Sequence, residues 1–399
     1  MFYPMRTINM LSSADSIKGQ GVGSAYQEQV ALVKEGLQGK YEIYINAVKR
    51  CDIQHFHTIN PEYLIALALE KRKNANVGYV HFLPETIEES LELPKSAKQI
   101  FYKYIISFYD AMDSLVTVNP YFIKELEKYG IKKEKISYIP NYVSETGFYK
   151  MCHKDIAALR KKWNIEESKF VVLSAGQVQT RKGVLDFIQT AKKLPHIQFV
   201  WAGGFSFGAM TDGYEILKKA MENPPKNVIF TGIIDREDMN GIYNMADMFF
   251  LPSFSELFPM TVLEAMAVGK PILLRDLDIY NDILFDYYAK ASDVEGFCHI
   301  IQSLSQNKQC YHLYKLQSQK GHHFYSAENI LKMWEGFYDK AYELCMQKRE
   351  ENKTEKTLEE IQKLKYSFLA EAEKLEQFKK EGKERISRLF GLIESRKKK

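Results

Sequence analysis

The sequence predicts an α/β protein that contains two parallel β-sheets, each covered by helices on both faces. Short apolar segments alternate with longer stretches of helical periodicity, and this alternation occurs in each half of the 399 residues. Strands buried on both faces are apolar throughout, which is typical of parallel sheets. A chain of this length can bury the cores of two domains.

The first half supplies the strands of one sheet. We expect strands at residues 8–11, 41–45, 53–57, 77–82, 115–118 and 136–139. Helical periodicity is found between them, at residues 26–36, 61–71, 94–112 and 121–129.

The second half repeats the pattern. Its expected strands are residues 170–174, 197–202, 228–231, 248–251 and 271–274, and its helices include 184–193, 236–245 and 327–346. Two such sets predict two Rossmann-like domains that face each other across a cleft. We expect an N-terminal domain at 1–155, a C-terminal domain at 156–346 and a charged helical tail at 347–399, with the boundary in the polar stretch 150–162.

The tail differs in composition from the rest of the chain. It is rich in Lys and Glu and lacks proline, and apolar residues recur at helical spacing from Ile361 to Phe378. A second apolar stripe, from Ile386 to Ile393, is flanked by Lys and Arg. This pattern predicts either an interfacial amphipathic helix or a coiled-coil or docking helix with a solvated charged face.

Composition limits the class of protein. No run approaches the roughly 18 apolar residues of a membrane span, and the N-terminus lacks a signal-peptide pattern. The five cysteines are scattered without metal-binding spacing, which is typical of reduced thiols in a cytosol. The net charge of +4 does not by itself indicate nucleic acid binding. We therefore expect a cytoplasmic protein.

Two glutamates carry the main functional signal. Glu256 lies in a loop after the apolar strand 248–251, and Glu264 lies about two turns into the helix that follows. Ligands of open α/β sheets bind at this edge, and a helix N-terminus there favours a phosphate. Glu264 could accept hydrogen bonds from ribose hydroxyls and Glu256 from hexose hydroxyls. The alternative is a solvated loop and helix-surface pair, but Glu264 lies among apolar neighbours, where a carboxylate needs partners.

The segment LPSFSELFPMTVLEAMAVGKPI resembles the paired-glutamate signature of the retaining glycosyltransferases of family four, which have the GT-B fold. The resemblance implies that the backbone of Leu257, Phe258 and Pro259 lies beside the donor sugar. It also implies that the helix 327–346 packs back across the domains.

SAGQVQTRKG resembles the diphosphate-binding segment of the same family. Lys182 fits the lysine of that motif, whereas Gln177 stands where the family usually has arginine. Arg181 could supply the missing charge, because a diphosphate leaving group develops negative charge as the glycosidic bond breaks. The donor half has no Asp-x-Asp motif at a strand end, so we expect no metal or other cofactor. The alternative for these two cations is a surface pair.

Strand ends and a glycine loop in the first half add candidates. His81 ends the strand YVHF, and the resemblance implies that it reaches the donor hexose, although Phe82 stands where many members have aspartate. His57 also ends a strand, but a lone histidine is more often structural. For the segment GQGVGSA, the resemblance implies that Gly21 and Gly23 lie near the donor phosphate. The alternative is a plain tight turn. The segment does not match the dinucleotide-binding motif G-x-G-x-x-G.

The resemblance covers most of residues 7–346, including Asn141 in IPNYV. The segments SSADSIKGQGVGSA, YVHFLPET and VNPYFIKEL look most like bacterial glycolipid synthases that add a hexose to α-monoglucosyl-diacylglycerol. The helix at 94–112 carries an aromatic stripe flanked by lysines, which suits either a lipid interface or a core helix.

Together these features predict a retaining hexosyltransferase, peripheral on the inner face of the cell membrane. The expected donor is UDP-galactose or UDP-glucose, the expected acceptor is α-glucosyl-diacylglycerol, and an anionic membrane surface is the expected partner. The alternatives are a hexosyltransferase for a cell-wall, teichoic acid or capsule acceptor, a nucleotide-sugar epimerase, and a non-catalytic binding protein.

Overall fold

The computed structural model describes residues 5–13, 21–63, 67, 73–81, 83, 95–206 and 208–354. The chain divides into two compact units, residues 1–345 and 346–399. Both apolar stripes predicted for the tail, and most of the helix predicted at 61–71, lie outside the described residues.

The first half forms a sheet of six parallel strands in the order β2-β1-β3-β4-β5-β6. The strands are β1 (Arg6–Leu11), β2 (Tyr41–Ile45), β3 (Ile53–Phe56), β4 (Ala75–Val80), β5 (Ser114–Thr117) and β6 (Ile136–Tyr138). The helices are α1 (Gly21–Gly36), α2 (Lys95–Asp110) and α3 (Tyr121–Lys128). Every residue of the central strand β4 is buried, as its apolar sequence predicts.

The second half forms another six-stranded parallel sheet, in the order β12-β11-β10-β7-β8-β9. Its strands are β7 (Val171–Ala175), β8 (Gln198–Ala202), β9 (Val228–Gly232), β10 (Met248–Leu251), β11 (Ile272–Arg275) and β12 (Ala289–Ala291). The strand order reverses between β7 and β10, so their carboxyl ends form a crevice of the kind in which α/β sheets bind ligands.

The helices of the second half are α4 (His153–Lys162), α5 (Val184–Lys193), α6 (Tyr214–Glu222), α7 (Arg236–Met245), α8 (Met260–Ala267), α9 (Val294–Gln306), α10 (Lys308–Phe324) and α11 (Ala327–Thr354). Although α11 follows the second sheet in the chain, it packs on the first: Tyr338 hydrogen-bonds His55, and Asp339 pairs with Arg6 and Lys40. The two-sheet prediction is confirmed.

The structure corrects two predictions of secondary structure. Helix α1 begins at Gly21 rather than at residue 26, so Gly21 and Gly23 lie in its first turn and not in a loop. Strand β12 was missed because three residues at a sheet edge are too short for periodicity to detect.

The aromatic stripe of α2 belongs to the protein core. Ile105 and Phe108 are almost fully buried, and Tyr104 donates a hydrogen bond to the carbonyl of Ile59. This decides between the two interpretations of the helix in favour of a core helix. No helix among the described residues has the length and apolar character needed to cross a bilayer.

Gly183 fixes the relation between the loops that follow β7 and β10. Its φ of +71° is in the left-handed region, and a Cβ atom there would lie 2.2 Å from the carbonyl oxygen of Pro252. Only glycine therefore allows the loop that carries Arg181 and Lys182 to approach the loop that carries Glu256.

We expect Gly183→Ala to lower the free energy of unfolding by more than the left-handed strain alone, which is about 1–2 kcal/mol. Gly39→Ala is the matched control, because Gly39 has a φ of +86° and open space around its would-be Cβ. Urea denaturation of both variants measures the difference. Equal losses in the two variants would contradict the close approach to Pro252.

Candidate active site

The carboxyl ends of β7 and β10 bring three charged side chains together. The Lys182 ammonium forms an ion pair with the Glu256 carboxylate, and Nη1 of Arg181 lies 4.0 Å from its other oxygen. Glu256 is only 7% exposed. The three residues are therefore neighbours, and the two cations are not a solvated surface pair.

The cations keep the buried carboxylate charged. Burial by itself would raise the pKa of Glu256, but the charges of Lys182 and Arg181 outweigh it and hold that pKa below its ordinary value. Burial also lowers the pKa of Lys182, and Glu256 offsets part of this shift. The cluster offers carboxylate oxygens for hydroxyls and N–H donors for an anion.

Backbone contacts set the position of Arg181. Its Nη1 donates to the carbonyl of Ser255 at 3.0 Å, while its own carbonyl accepts from the Ser253 hydroxyl at 3.0 Å and from the Phe254 N–H at 2.7 Å. The cation and the Glu256 loop are thus held as one unit.

Glu264 is the fifth residue of α8 and is buried, with 4% exposure. Its carboxylate accepts hydrogen bonds from the Tyr243 hydroxyl at 2.7 Å and from Nη1 of Arg236 at 2.9 Å. Both donors come from α7. The helix-surface interpretation is therefore wrong, and the partners that a buried carboxylate requires are present.

The first half of the chain holds the loop from Leu257 to Pro259. Nδ2 of Asn119 donates to the carbonyl of Leu257 at 2.7 Å, and Nδ2 of Asn141 donates to that of Phe258 at 3.1 Å. The Phe258 ring is buried against Tyr325. Phe258 can therefore offer a ligand only its backbone.

His81 directly follows β4 and is 7% exposed. Its ring stacks on Tyr79 at 4.1 Å, and its Nε2 atom has no hydrogen-bond partner among the described residues. Burial lowers its pKa to about 3, so the imidazole is neutral. A neutral ring with a free nitrogen can hydrogen-bond a sugar hydroxyl.

The two histidines of β3 and its end differ in their contacts. His55 is hydrogen-bonded to Tyr338 at 2.9 Å, which is a structural role. His57 is 1% exposed, and neither of its ring nitrogens has a partner within the described part of the chain. His57 therefore keeps both ring nitrogens for a ligand, whereas His55 keeps only its Nε2 atom.

The roles of Gly21 and Gly23 stay predictions. Both lie in the first turn of α1, and residues 14–20, which precede them, lie outside the described residues. In the described ranges, no group of three or more histidine, cysteine, aspartate or glutamate side chains is arranged to hold a metal ion.

Sequence reasoning missed Asn119, Arg236 and Tyr243. Asn119 lies two residues after β5, so the strand-end criterion that selected His81 could have found it. Arg236 and Tyr243 lie on a helix without a motif, and their contacts with Glu264 exist only because α7 packs beside α8.

Comparisons with known proteins place this site in a family. Residues 155–320 match the model for glycosyl transferases group 1, and residues 41–146 match the model for glycosyltransferase family 4. The chain is 44% identical to the alpha-galactosylglucosyldiacylglycerol synthase of Streptococcus pneumoniae, over 84% of this chain and 89% of that protein. This chain belongs to glycosyltransferase family 4. The family resemblance seen in the glutamate pair is confirmed.

A second relative of this family 4 enzyme matches over its whole length. The processive diacylglycerol alpha-glucosyltransferase of Acholeplasma laidlawii is 25% identical over 86% of this chain and 100% of that protein. Among solved structures, sucrose-phosphate synthase from Thermosynechococcus elongatus has a TM-score of 0.69, covers 85% of this chain and 100% of that one, and is 14% identical. Anabaena HepE has a TM-score of 0.67, covers 84% and 99%, and is 13% identical. These structures confirm the GT-B fold.

The buried histidines predict how stability depends on pH. Burial lowers the pKa of His55 and His81 to about 3 and that of His57 well below its ordinary value of 6.5. The unfolded chain therefore binds protons that the folded chain does not, and stability is lost as pH falls below 6.5. From pH 7.5 to 5.5, each histidine should lower the free energy of unfolding by about 1.4 kcal/mol.

Urea denaturation at the two pH values measures this loss. His57→Phe should reduce the difference between the two pH values by about one third, since one of three such groups is removed. Glu256 does not contribute to this difference, because its pKa is below the ordinary 4.5 and therefore below both pH values. An unchanged pH difference in His57→Phe would show that His57 does not stay neutral in the folded protein.

Proposed function

We propose that this family 4 enzyme transfers galactose from UDP-galactose to α-glucosyl-diacylglycerol, with retention of configuration. The observation that carries the proposal is the Glu256 carboxylate, buried against Lys182 and Arg181 at the crevice of the second sheet. That arrangement suits a ligand with both sugar hydroxyls and a diphosphate. The choice of galactose and of the lipid acceptor is supported by the relative from Streptococcus pneumoniae.

The charges suggest where the donor binds. Lys182 and Arg181 would contact the diphosphate, and Glu264 would accept hydrogen bonds from the ribose hydroxyls. Glu256 and the neutral His81 would hydrogen-bond the hexose beside the Leu257 to Pro259 backbone, while Gly21 and Gly23 would approach the phosphate. Lys182 pairs with Glu256, so the diphosphate would share this ammonium with the carboxylate.

The transfer step breaks the bond between the anomeric carbon and the phosphate oxygen. The electron pair leaves with UDP, and the two cations stabilise the developing negative charge. The acceptor hydroxyl attacks from the same face and passes its proton to the departing phosphate oxygen. Retention then needs no covalent nucleophile, and charge neutralisation by side chains leaves no step that requires a metal.

A donor-transfer assay tests the proposal. The enzyme is incubated with radiolabelled UDP-galactose or UDP-glucose and with vesicles that contain either α-glucosyl-diacylglycerol or a polyprenyl-linked acceptor, with and without a chelator. We expect label in the lipid from UDP-galactose, and no effect of the chelator. Label found only in the polyprenyl-linked acceptor would contradict α-glucosyl-diacylglycerol as the acceptor. Conversion of the UDP-sugar in the absence of any acceptor would indicate an epimerase. Activity that is lost with chelator and restored by manganese or magnesium would contradict metal independence.

The two glutamates should affect different steps. Glu264→Ala removes acceptors for ribose hydroxyls, so UDP should bind about 10- to 100-fold more weakly. Glu256→Ala should mainly lower turnover, because a contact to the hexose contributes most as that ring becomes cationic. Isothermal titration with UDP, which lacks the hexose, separates the two. UDP affinity unchanged in Glu264→Ala would remove the ribose assignment.

We also propose that the enzyme acts at the inner face of the membrane and that residues 383–399, which lie outside the described residues, contact anionic lipid. This segment carries the cations Lys383, Arg385, Arg388, Arg396, Lys397, Lys398 and Lys399. Each could contribute about 1 kcal/mol near an anionic surface, and the stripe from Ile386 to Ile393 would add apolar burial.

Deletion of residues 383–399 should lower co-sedimentation with anionic vesicles and leave UDP affinity intact. Binding of the full chain should also fall with salt, because surface charges are screened. Leu389→Asn, which interrupts the apolar stripe and leaves the net charge unchanged, distinguishes insertion from a purely electrostatic contact. If the truncated chain sediments as well as the full chain, the tail is not the membrane contact and the docking-helix interpretation gains support.

A further inference from the structure

Arg236 contacts two buried carboxylates from different halves of the chain. Its Nη1 lies 2.9 Å from Glu264 on α8, and its Nη2 lies 2.5 Å from Glu28 on α1. Glu264 is 4% exposed and Glu28 is 8% exposed. One guanidinium therefore neutralises a carboxylate from the first half of the chain and the carboxylate proposed to bind the donor ribose.

The same group of contacts includes the segment that joins the two sheets. The second oxygen of Glu28 accepts a hydrogen bond from the Ser144 N–H at 2.9 Å. The Arg236 guanidinium lies over the Phe148 ring, 5.2 Å from its centroid, and that ring packs edge-on against Tyr243 at 5.7 Å. Since Tyr243 also donates to Glu264, the contacts form a closed path from α1 through the connecting segment to the donor side.

The charges of this group depend on one another. Burial would lower the pKa of Arg236, but Glu264 and Glu28 outweigh it and raise that pKa above its ordinary value. Without the guanidinium, two buried carboxylates would lack their cation, which is unfavourable enough to displace them. Without Glu28, Arg236 would lose the contact that fixes one end of its planar fork.

We infer that Arg236 is a positioning residue that holds Glu264 in place for the donor and, through Glu28, couples nucleotide affinity to the placement of the N-terminal domain. This inference rests on the proposed role of Glu264 at the ribose. Coupling between sites is reciprocal. A change at Glu28 must therefore alter the affinity for UDP, although Glu28 contacts the cation and not the proposed ribose acceptor.

A double-mutant cycle on Glu28 and Arg236 tests the coupling, with UDP affinity measured by isothermal titration. Arg236→Gln should weaken UDP binding by about tenfold, the loss expected for one misplaced charged acceptor. Glu28→Gln, which keeps the side chain's shape, should weaken it by about fivefold. The double variant should bind no more weakly than Arg236→Gln alone, because Glu28 acts through Arg236.

Lys40→Gln is the matched control. Lys40 pairs with Glu335 at 2.8 Å and Asp339 at 2.7 Å, so it also links the first sheet to a helix late in the chain, but by a path that does not include Glu264. We expect this variant to bind UDP as the unchanged protein does. The thermal unfolding midpoint of each variant shows whether a loss of UDP affinity is due only to a loss of stability.

Steady-state kinetics supply a second readout. Glu28→Gln should raise the donor KM by about fivefold and change kcat by less than about twofold, as expected when the ground state and the transition state lose the same binding. If Arg236→Gln does not fold, Glu28→Gln alone decides the question.

The outcomes distinguish this inference from the proposed function. UDP affinity unchanged in Glu28→Gln, with weak binding in Glu264→Ala, would overturn the coupling and leave the ribose assignment intact. Losses in Glu28→Gln and Arg236→Gln that simply add in the double variant would overturn the path through Arg236. Unchanged UDP affinity in Glu264→Ala would instead refute the proposed ribose site.

Discussion

The need to neutralise buried carboxylates determines how this enzyme's site is built. Glu256 and Glu264 lie on the loop and helix after one strand, and both are almost completely buried. A carboxylate in such surroundings needs cations or hydrogen-bond donors as partners. Lys182 and Arg181 meet this need for Glu256, and Arg236 and Tyr243 meet it for Glu264.

The cations come from loops and helices that other constraints position. Lys182 reaches Glu256 because the chain after β7 approaches the Pro252 carbonyl, which the left-handed Gly183 alone allows. Arg236 reaches Glu264 because it is the first residue of α7, beside α8. The local backbone and the packing of helices therefore place the cations beside the two glutamates, and the cations beside Glu256 hold its pKa below the ordinary value.

The N-terminal half of the chain holds parts of the candidate site in the second half. Asn119 and Asn141 hold carbonyls of the loop beside Glu256, and Glu28 holds Arg236. These contacts cross between the two halves, and the three side chains that the first half supplies are at most 8% exposed. At this burial their hydrogen bonds cannot be exchanged freely for water, so the loss of one would leave a buried polar group without its partner.

The sequence alone determined the two-sheet fold and the first members of the site. Continuously apolar strands, and the helices between them, follow from burial on both faces, which is a local property of the chain. The spacing of Glu256 and Glu264, and Lys182 at the end of TRKG, could likewise be read from contiguous segments. The parts of the site that could not be predicted from the sequence depend on contacts between residues that are distant in the chain. Glu28 and Arg236 are 208 positions apart in the sequence, and no periodicity links them.

Only the tertiary structure decided which ambiguous patterns were structural. The aromatic stripe of α2 fits both a lipid-facing helix and a core helix. Because Ile105 and Phe108 pack in the core of the first half, α2 is a core helix. His55 and His57 have the same alternation in sequence, but only His55 meets the Tyr338 hydroxyl of α11. The physical reason is the same in each case. The pattern of residues within a helix or strand determines which of its faces is apolar or polar. What packs against that face depends on other helices and strands, which are distant in the sequence.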